Sequence, residues 1–353
     1  MDLQLTSEQV QLRDATRRVL GVRLESLVAR LPEPSVHDAQ QTLKDALDLG
    51  WLGLSLPSES GGLGDFTDLA VVHEELGRGL APTLVTSLTI AARLLLQVGA
   101  PPSLLAQVAR GELLVVPVLS EVSAAAALRL VVDAAAATHL LVPVRGQLEL
   151  VALDTPGVTV VEEPSSTDLV HCRVQLDGGA GEPVGALGDA LDRVRTEAVV
   201  LAAARAVGGG RAVLERTVEH VRTRHQFDRP IGTFQAVQHQ LADVATALDA
   251  AGLAVSRAAW AVCAELPAGE VTAAAAIAGL AAMDAFADAT LTAHQLHGGM
   301  GFVLDSPLHL WSARAVADPT VPATRRELLE LLATSTGLPP DGQVTVAAGH
   351  RRP

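Results

Sequence analysis

The sequence predicts a mainly helical protein with a small β-rich segment at its centre. Three observations predict it. Alanine and leucine dominate a composition that is 49% hydrophobic but only 2% aromatic, with no tyrosine, and both are strong helix formers. Apolar residues recur on a helical period up to residue 112 and again after residue 188, as one buried helix face requires. Between them, short apolar, β-branched runs alternate with Gly, Pro and Ser, the pattern of strands and turns.

Taken in order, Thr6-Ser7-Glu8 opens a first helix, with Val10, Leu12 and Val19 on its apolar stripe. A second helix covers 43–49, and the glycine-rich stretch 57–64, PSESGGLG, is a turn. A third helix is expected over 65–77 and a fourth over 87–98. Strands are expected at 113–119, 139–144, 147–154, 157–162 and 170–176, and 131–137 reads as a hairpin or a short linker. Residues 188–336 return to long Ala-rich helices. The stretch 337–353, with Pro339, Pro340 and Gly342, reads as a frayed terminus. The divisions are therefore 1–112, 113–187, 188–336 and 337–353.

At 353 residues and 36.5 kDa the chain is long enough for several layers around a substantial core. A formal net charge of −14 and a pI near 5.2 argue against a nucleic-acid partner, because no basic stripe balances the acid. Cys172 and Cys263 stand far apart with no metal-ligand spacing and read as free thiols of a reducing compartment. His220, His225, His239, His294, His297 and His309 crowd the C-terminal half, but none has a zinc-ligand context with a third ligand. The polar start MDLQLTSEQVQLRD lacks the order of a signal peptide. No apolar run is expected to reach spanning length without polar interruption. A cytoplasmic location with no membrane partner is the expectation.

Two stretches carry the chemistry. In 224–243, RHQFDRPIGTFQAVQHQLAD, Arg224 offers a planar fork suited to a diphosphate. Phe227, one of five phenylalanines, could cover a flat ligand. Thr233 is a fair N-cap for the following helix. A helical hairpin with an ordinary surface arginine and a core phenylalanine accounts for the same residues. In 294–302, HQLHGGMGF, Gly298 and Gly299 allow a ligand to approach the backbone closely, and Gln295 offers both amide donor and acceptor. A helix cap and turn is the alternative. No strand precedes these glycines, so they fit neither a Rossmann nor a P-loop fingerprint.

Together these stretches resemble the C-terminal helical domain of acyl-CoA dehydrogenases, whose motifs read R-x-Q-F-G-x-P-I-x-x-F-Q-x-x-Q-H-x-L-A-D and Q-x-x-G-G-x-G-[FY]. The segment GWLGLSLPSESGGLGDFTDLAVVHEELGRGLAP resembles that family's N-terminal domain. The resemblance spans residues 3–335. It implies an N-terminal helical domain, a β-barrel-like middle domain and a C-terminal four-helix bundle. It further implies a flavoprotein oxidoreductase that holds FAD, much of it across a subunit interface. Arg224, Phe227, Gln295, Gly298 and Gly299 would contact the cofactor, and Ser120 or Ser123, in the stretch 118–123, would donate to the flavin. The implied substrate is an acyl-CoA thioester in fatty-acid or sterol-side-chain breakdown. The implied partners are an electron-transfer flavoprotein or similar acceptor and a homo- or hetero-oligomer with a related chain.

The sequence departs from the family pattern at the base. Where most members carry a loop glutamate, this chain has Pro322, with Asp318 four residues before it and Glu327 five after. Where a minority carry one in the first bundle helix, this chain has Ala198. Its neighbour Glu197 is the candidate, although one residue along a helix turns a side chain by about 100°. A solvated carboxylate at the helix start is the alternative for Glu197. The β-domain is shorter than in the family, and Asp228 replaces the motif's glycine. Two readings follow: an autonomous FAD-dependent acyl-CoA dehydrogenase, or a non-catalytic partner subunit of a heterotetrameric one, supplying FAD contacts and interface.

Overall fold

A computed structural model describes residues 4–29, 37–56, 62–164, 170–179, 181–317 and 322–337. Asp318, most of the glycine turn at 57–64 and the tail beyond 337 lie outside the described residues. Five helices come first: α1 (Ser7–Ala29), α2 (His37–Asp48), α3 (Phe66–Arg78), α4 (Leu84–Gln97) and α5 (Pro102–Ala109). The last of these was not anticipated. Helix α1 starts where expected, with Thr6 Oγ1 accepting from the Gln9 N–H at 3.2 Å. Helix α3 is fixed by a capping box between Asp65 and Asp68, which satisfies two of its free N–H groups.

Among the described residues seven strands follow in two sheets. The first pairs β1 (Val115–Pro117), β3 (His139–Val144), β4 (Gln147–Ala152) and β7 (Gly181–Ala186); the second pairs β2 (Ala125–Val132), β6 (His171–Asp177) and β5 (Val158–Glu163). Strand β1 runs parallel to β3, and every other pairing in these sheets is antiparallel. The two sheets share a core of Val116, Leu128, Leu140, Val142, Val174 and Leu176. Strand β6 alternates buried and exposed residues along its length, as a sheet with one covered face must.

Strand β2 takes in the first two residues of the 131–137 stretch, and the rest is the short linker expected there, with a 3₁₀ turn at Ala134–Ala136 before β3. The β2 run AAALRLVV is mostly exposed and poor in strand formers at its start, so nothing local marks it. Pairing with β6 decides its conformation, with an irregularity between Leu128 and Val131 where Leu130 takes φ 57°. Strand β7 was likewise not anticipated.

The remaining described residues are mainly helical: α6 (Ala190–Thr223), α7 (Gln235–Cys263), α8 (Ala268–His297), α9 (Leu308–Ala317) and α10 (Arg325–Ser335), with a short hairpin of β8 (His225–Gln226) and β9 (Arg229–Pro230) between α6 and α7. Helix α8 packs against α6, α7, α9 and α10. Its inner face is Ala275, Ala278, Gly279, Ala282, Ala285 and Ala289 around a buried Phe286, small residues that bring helix axes close. Helices α3 and α6 approach closer still. A Cβ on Gly208 would collide with the backbone oxygen of Glu74, and one on Gly77 with that of Arg205. The stretch Ala268–Phe302 is long and apolar enough, by length and composition, to cross a bilayer, but Asp284 and Asp288 interrupt it, in line with the expectation that no such run is free of polar residues. In this structure it is the central helix of the bundle.

Candidate cofactor and active site

Helix α6 ends at Thr223, and the Arg224 N–H closes it by donating to His220 O at 2.8 Å. The chain then turns back through β8 and β9. The two residues at the tip, Phe227 and Asp228, have φ of 54° and 62°, as a tight hairpin with the right-handed strand twist demands. Glycine or asparagine normally takes such positions, and a bulky residue there is a genuine outlier. The result is a phenylalanine 85% exposed to solvent. This corrects the alternative that made Phe227 a core residue. Asp228 faces water, and Arg229 lies over the Phe234 ring at 4.1 Å instead of pairing with it. Thr233 is not the N-cap: its hydroxyl donates to Pro230 O at 2.7 Å, and the α7 N-cap is Phe234, with no side-chain hydrogen bond. The preceding turn at Ile231–Thr233 consumes the hydroxyl before the helix begins.

At the same end of the bundle, α8 stops at His297. Gly298 follows with φ 58°, and a short 3₁₀ turn, Gly298–Phe302, leads away. The His220 and His297 rings stack at 4.0 Å, which ties the two helix ends together. The structure therefore brings Arg224, Phe227, Gln295, Gly298 and Gly299 to one end of the bundle, each of them exposed. Among the described residues neither Arg224 nor Gln295 has an ion pair or side-chain hydrogen bond. A Cβ on Gly298 or Gly299 would meet nothing within 4 Å. These glycines do not serve packing within the chain, and they leave backbone open to an incoming group. A free guanidinium beside open glycine backbone, rimmed by the exposed rings of Phe227 and Phe302 and by Met300, fits the diphosphate and flat ring of a dinucleotide. Missed in the sequence was Ser312, and His220 was weighed there only as a metal ligand. His294 Nε2 lies 2.6 Å from Ser312 Oγ, and its ring stacks on Phe302 at 4.8 Å. The one sequence signal for His220 is its place a helical turn before Arg224.

The carboxylates tell a different story. Helix α6 begins at Ala190, so Glu197 stands well inside it, 5% exposed, and the solvated helix-start alternative is corrected. Both oxygens are occupied: Arg93 Nε donates to Oε2 at 2.8 Å and Nη2 to Oε1 at 2.6 Å. Burial would lower the proton affinity of Arg93, but the bond to Glu197 and its charge more than offset this and raise it. Glu197, the candidate base, is thus engaged by one guanidinium at both oxygens. Glu327 closes the capping box of α10 with Thr324, and the Thr324 backbone N–H holds its carboxyl below the usual range. Ser120 stands exposed in the bend after β1, on the β-domain and not on the bundle.

The other buried carboxylates are also engaged. Arg17 grips Glu75 through two nitrogens, and Arg23 grips Asp45 the same way. Asp133 accepts from Thr83 Oγ1 at 3.0 Å and Ser87 Oγ at 2.8 Å. Burial pushes its carboxyl up, and the two hydroxyls, Arg314 and Arg205 pull the other way. Arg205 in turn donates to Ala81 O at 2.7 Å. This cluster clamps the β-domain to α4 and α6, and the sequence had not shown it.

Comparison with known proteins places this architecture. Residues 6–112 match the family model described as the acyl-CoA dehydrogenase N-terminal domain, and residues 190–320 that of the C-terminal domain. The acyl-CoA dehydrogenase IpdE2 of Mycobacterium tuberculosis is 30% identical over 329 residues, 90% of this chain and 96% of that protein. Among solved structures, the ChsE4–ChsE5 complex from Mycobacterium tuberculosis superposes with a TM-score of 0.84 at 24% identity, over 96% of this chain and 99% of that one. Butyryl-CoA dehydrogenase from Megasphaera elsdenii gives 0.82 at 21% identity, over 95% and 100%. These two likenesses establish the fold.

Proposed function

The chain belongs to the acyl-CoA dehydrogenase family, and from that premise we propose that it is a cofactor-holding subunit in the α,β-dehydrogenation of an acyl-CoA thioester. A related chain in the same assembly supplies the base. FAD, when bound, supplies the hydride acceptor of this chemistry. The residues of this chain bind and orient. Arg224 offers its fork to the diphosphate, Gln295 its amide, Gly298 and Gly299 their backbone, and Phe227 an apolar cover. The exposed Phe227, Met300, Phe302 and Leu304 make a rim that a neighbouring chain would bury.

The observation that carries the subunit reading is the occupied state of Glu197. A dehydrogenase needs a carboxylate free to take the α-proton, and the one candidate among the described residues is locked to Arg93. The relatives support the same reading. The ChsE4–ChsE5 structure is a complex of differently named chains, and a second solved structure of this fold is the Tcur3481–Tcur3483 steroid acyl-CoA dehydrogenase. A sterol-side-chain or fatty-acid thioester, an electron-transfer flavoprotein as acceptor and a cytoplasmic site of action belong to the proposal.

The test is to express the chain alone and together with a related chain encoded beside it, then measure FAD per chain and acyl-CoA-dependent reduction of an artificial acceptor. The proposal expects a colourless or insoluble chain alone and a yellow, active pair. A chain that is yellow by itself and turns over an acyl-CoA overturns it in favour of an autonomous enzyme.

A further inference from the structure

Arg224 is not the only group at the bundle end able to carry positive charge. His220 lies one helical turn before it on α6, and the His220 ring lies face to face with His297, 4.0 Å between centroids and 13° between planes. His297 is the residue immediately before the open glycines. The His297 Nε2 is buried with no hydrogen-bond partner, as is the His294 Nδ1. From α9 the cluster meets the Ser312 hydroxyl through His294, and from the glycine turn it meets the Phe302 ring. The titratable groups acting on the pair are Arg224 of α6 and His294 of α8.

Two parallel imidazoles at this separation cannot both be charged at small cost. Beside a fixed guanidinium even one charge is opposed. Burial, then the charge of Arg224, holds His220 below the usual imidazole range. Burial, then His220 and His294, holds His297 down to about 4. Near neutral pH the free site thus presents one positive charge and a neutral stacked pair. An anion on Arg224 reverses the balance. It offsets the Arg224 charge that acts on His220, and its own charge attracts a proton, both working against the burial that holds the rings neutral.

We propose that His220 and His297 are part of the dinucleotide site and take up one proton from solvent when a diphosphate binds beside Arg224. This rests on the cofactor reading above and goes beyond it: the pair makes the site's charge depend on occupancy. The bound site carries two positive charges against the diphosphate and the empty site one. The empty bundle end is thereby spared the repulsion of an unneutralised charge pair, and the affinity is proton-linked.

The experiment uses the assembled complex after removal of its flavin, titrated with FAD by calorimetry at pH 7 in buffers of different ionisation heat. The expected result is uptake of close to one proton per FAD. Affinity should rise as pH falls from 8 to 6, by up to about tenfold per unit for a one-proton linkage. The variants His220→Phe and His297→Phe should abolish the uptake per FAD bound and flatten the pH profile of binding. No proton uptake in the unmodified complex, or the same uptake in both variants, overturns the proposal. Arg224→Met separates the two readings. If it leaves FAD binding unchanged, the cofactor site itself is misplaced. If it abolishes binding while the histidine variants behave like the parent, only the histidine inference fails.

Discussion

The bundle end around Arg224 and the interior around α3, α4 and α6 handle charge in opposite ways. Inside, Glu75, Asp45 and Glu197 are each gripped by two nitrogens of one arginine. At the bundle end Arg224 stands exposed with no ion pair among the described residues, beside a phenylalanine held in solvent at positive φ. A buried charge must be matched within the fold, because nothing else will solvate it. A charge left bare at a surface, next to open backbone and apolar rings, is free for a partner from outside. The contrast sets groups matched within the fold apart from groups left open to a partner, and Glu197, the base the sequence offered, stands with the matched groups.

Breaking the interior should give the largest effects. Arg93→Ala leaves Glu197 buried without a partner and should destabilise by about 3–5 kcal/mol, read from the midpoint of urea unfolding. Replacing both, as Arg93→Met with Glu197→Leu, should recover most of that loss. If Glu197→Gln instead keeps the stability of the parent and abolishes turnover in the assembled complex, the contrast drawn above is wrong and Glu197 is catalytic. Next comes the contact between α3 and α6. Gly208→Ala puts a methyl against the Glu74 carbonyl and should cost about 1–3 kcal/mol in the same assay.

A pH series sharpens the interior further. His73 on α3 is buried, its Nδ1 2.8 Å from Leu69 O, and burial lowers its pKa from 6.5 to about 3. Above pH 6.5 the ring is neutral in both folded and unfolded chains and contributes no slope. Below it the unfolded chain takes a proton that the folded chain refuses. Stability should therefore fall as pH drops from 6.5 towards 3, by up to about 1.4 kcal/mol per unit from this one group. His73→Leu should flatten that limb. The smallest stability effect belongs to the bundle end. Arg224→Met should move the unfolding midpoint of the flavin-free protein by no more than about 0.5 kcal/mol, yet lower FAD content severely. A large loss of stability would show that Arg224 is structural after all.

Much of the architecture was legible from local pattern. Helical periodicity and caps marked α1, α3 and α4, and β-branched runs between turn residues marked β3, β4, β5 and β6, because these signals act within a few residues. The stretch around Arg224 and the glycines after His297 were legible too, since a motif is carried by spacing. What the chain could not show locally was decided by packing. Strand β2 exists because β6 pairs with it, in spite of its alanines. Glu197 meets Arg93 across 104 residues of sequence, and no spacing along α6 foretells that partner. Phe227 could as well have been core, and only the hairpin between α6 and α7 turned it into solvent. Short-range propensity determines where most elements form, and long-range pairing adds those, such as β2, that it leaves unmarked. Which buried charge finds which partner, and which ring stays wet, is determined when distant elements dock and exclude water.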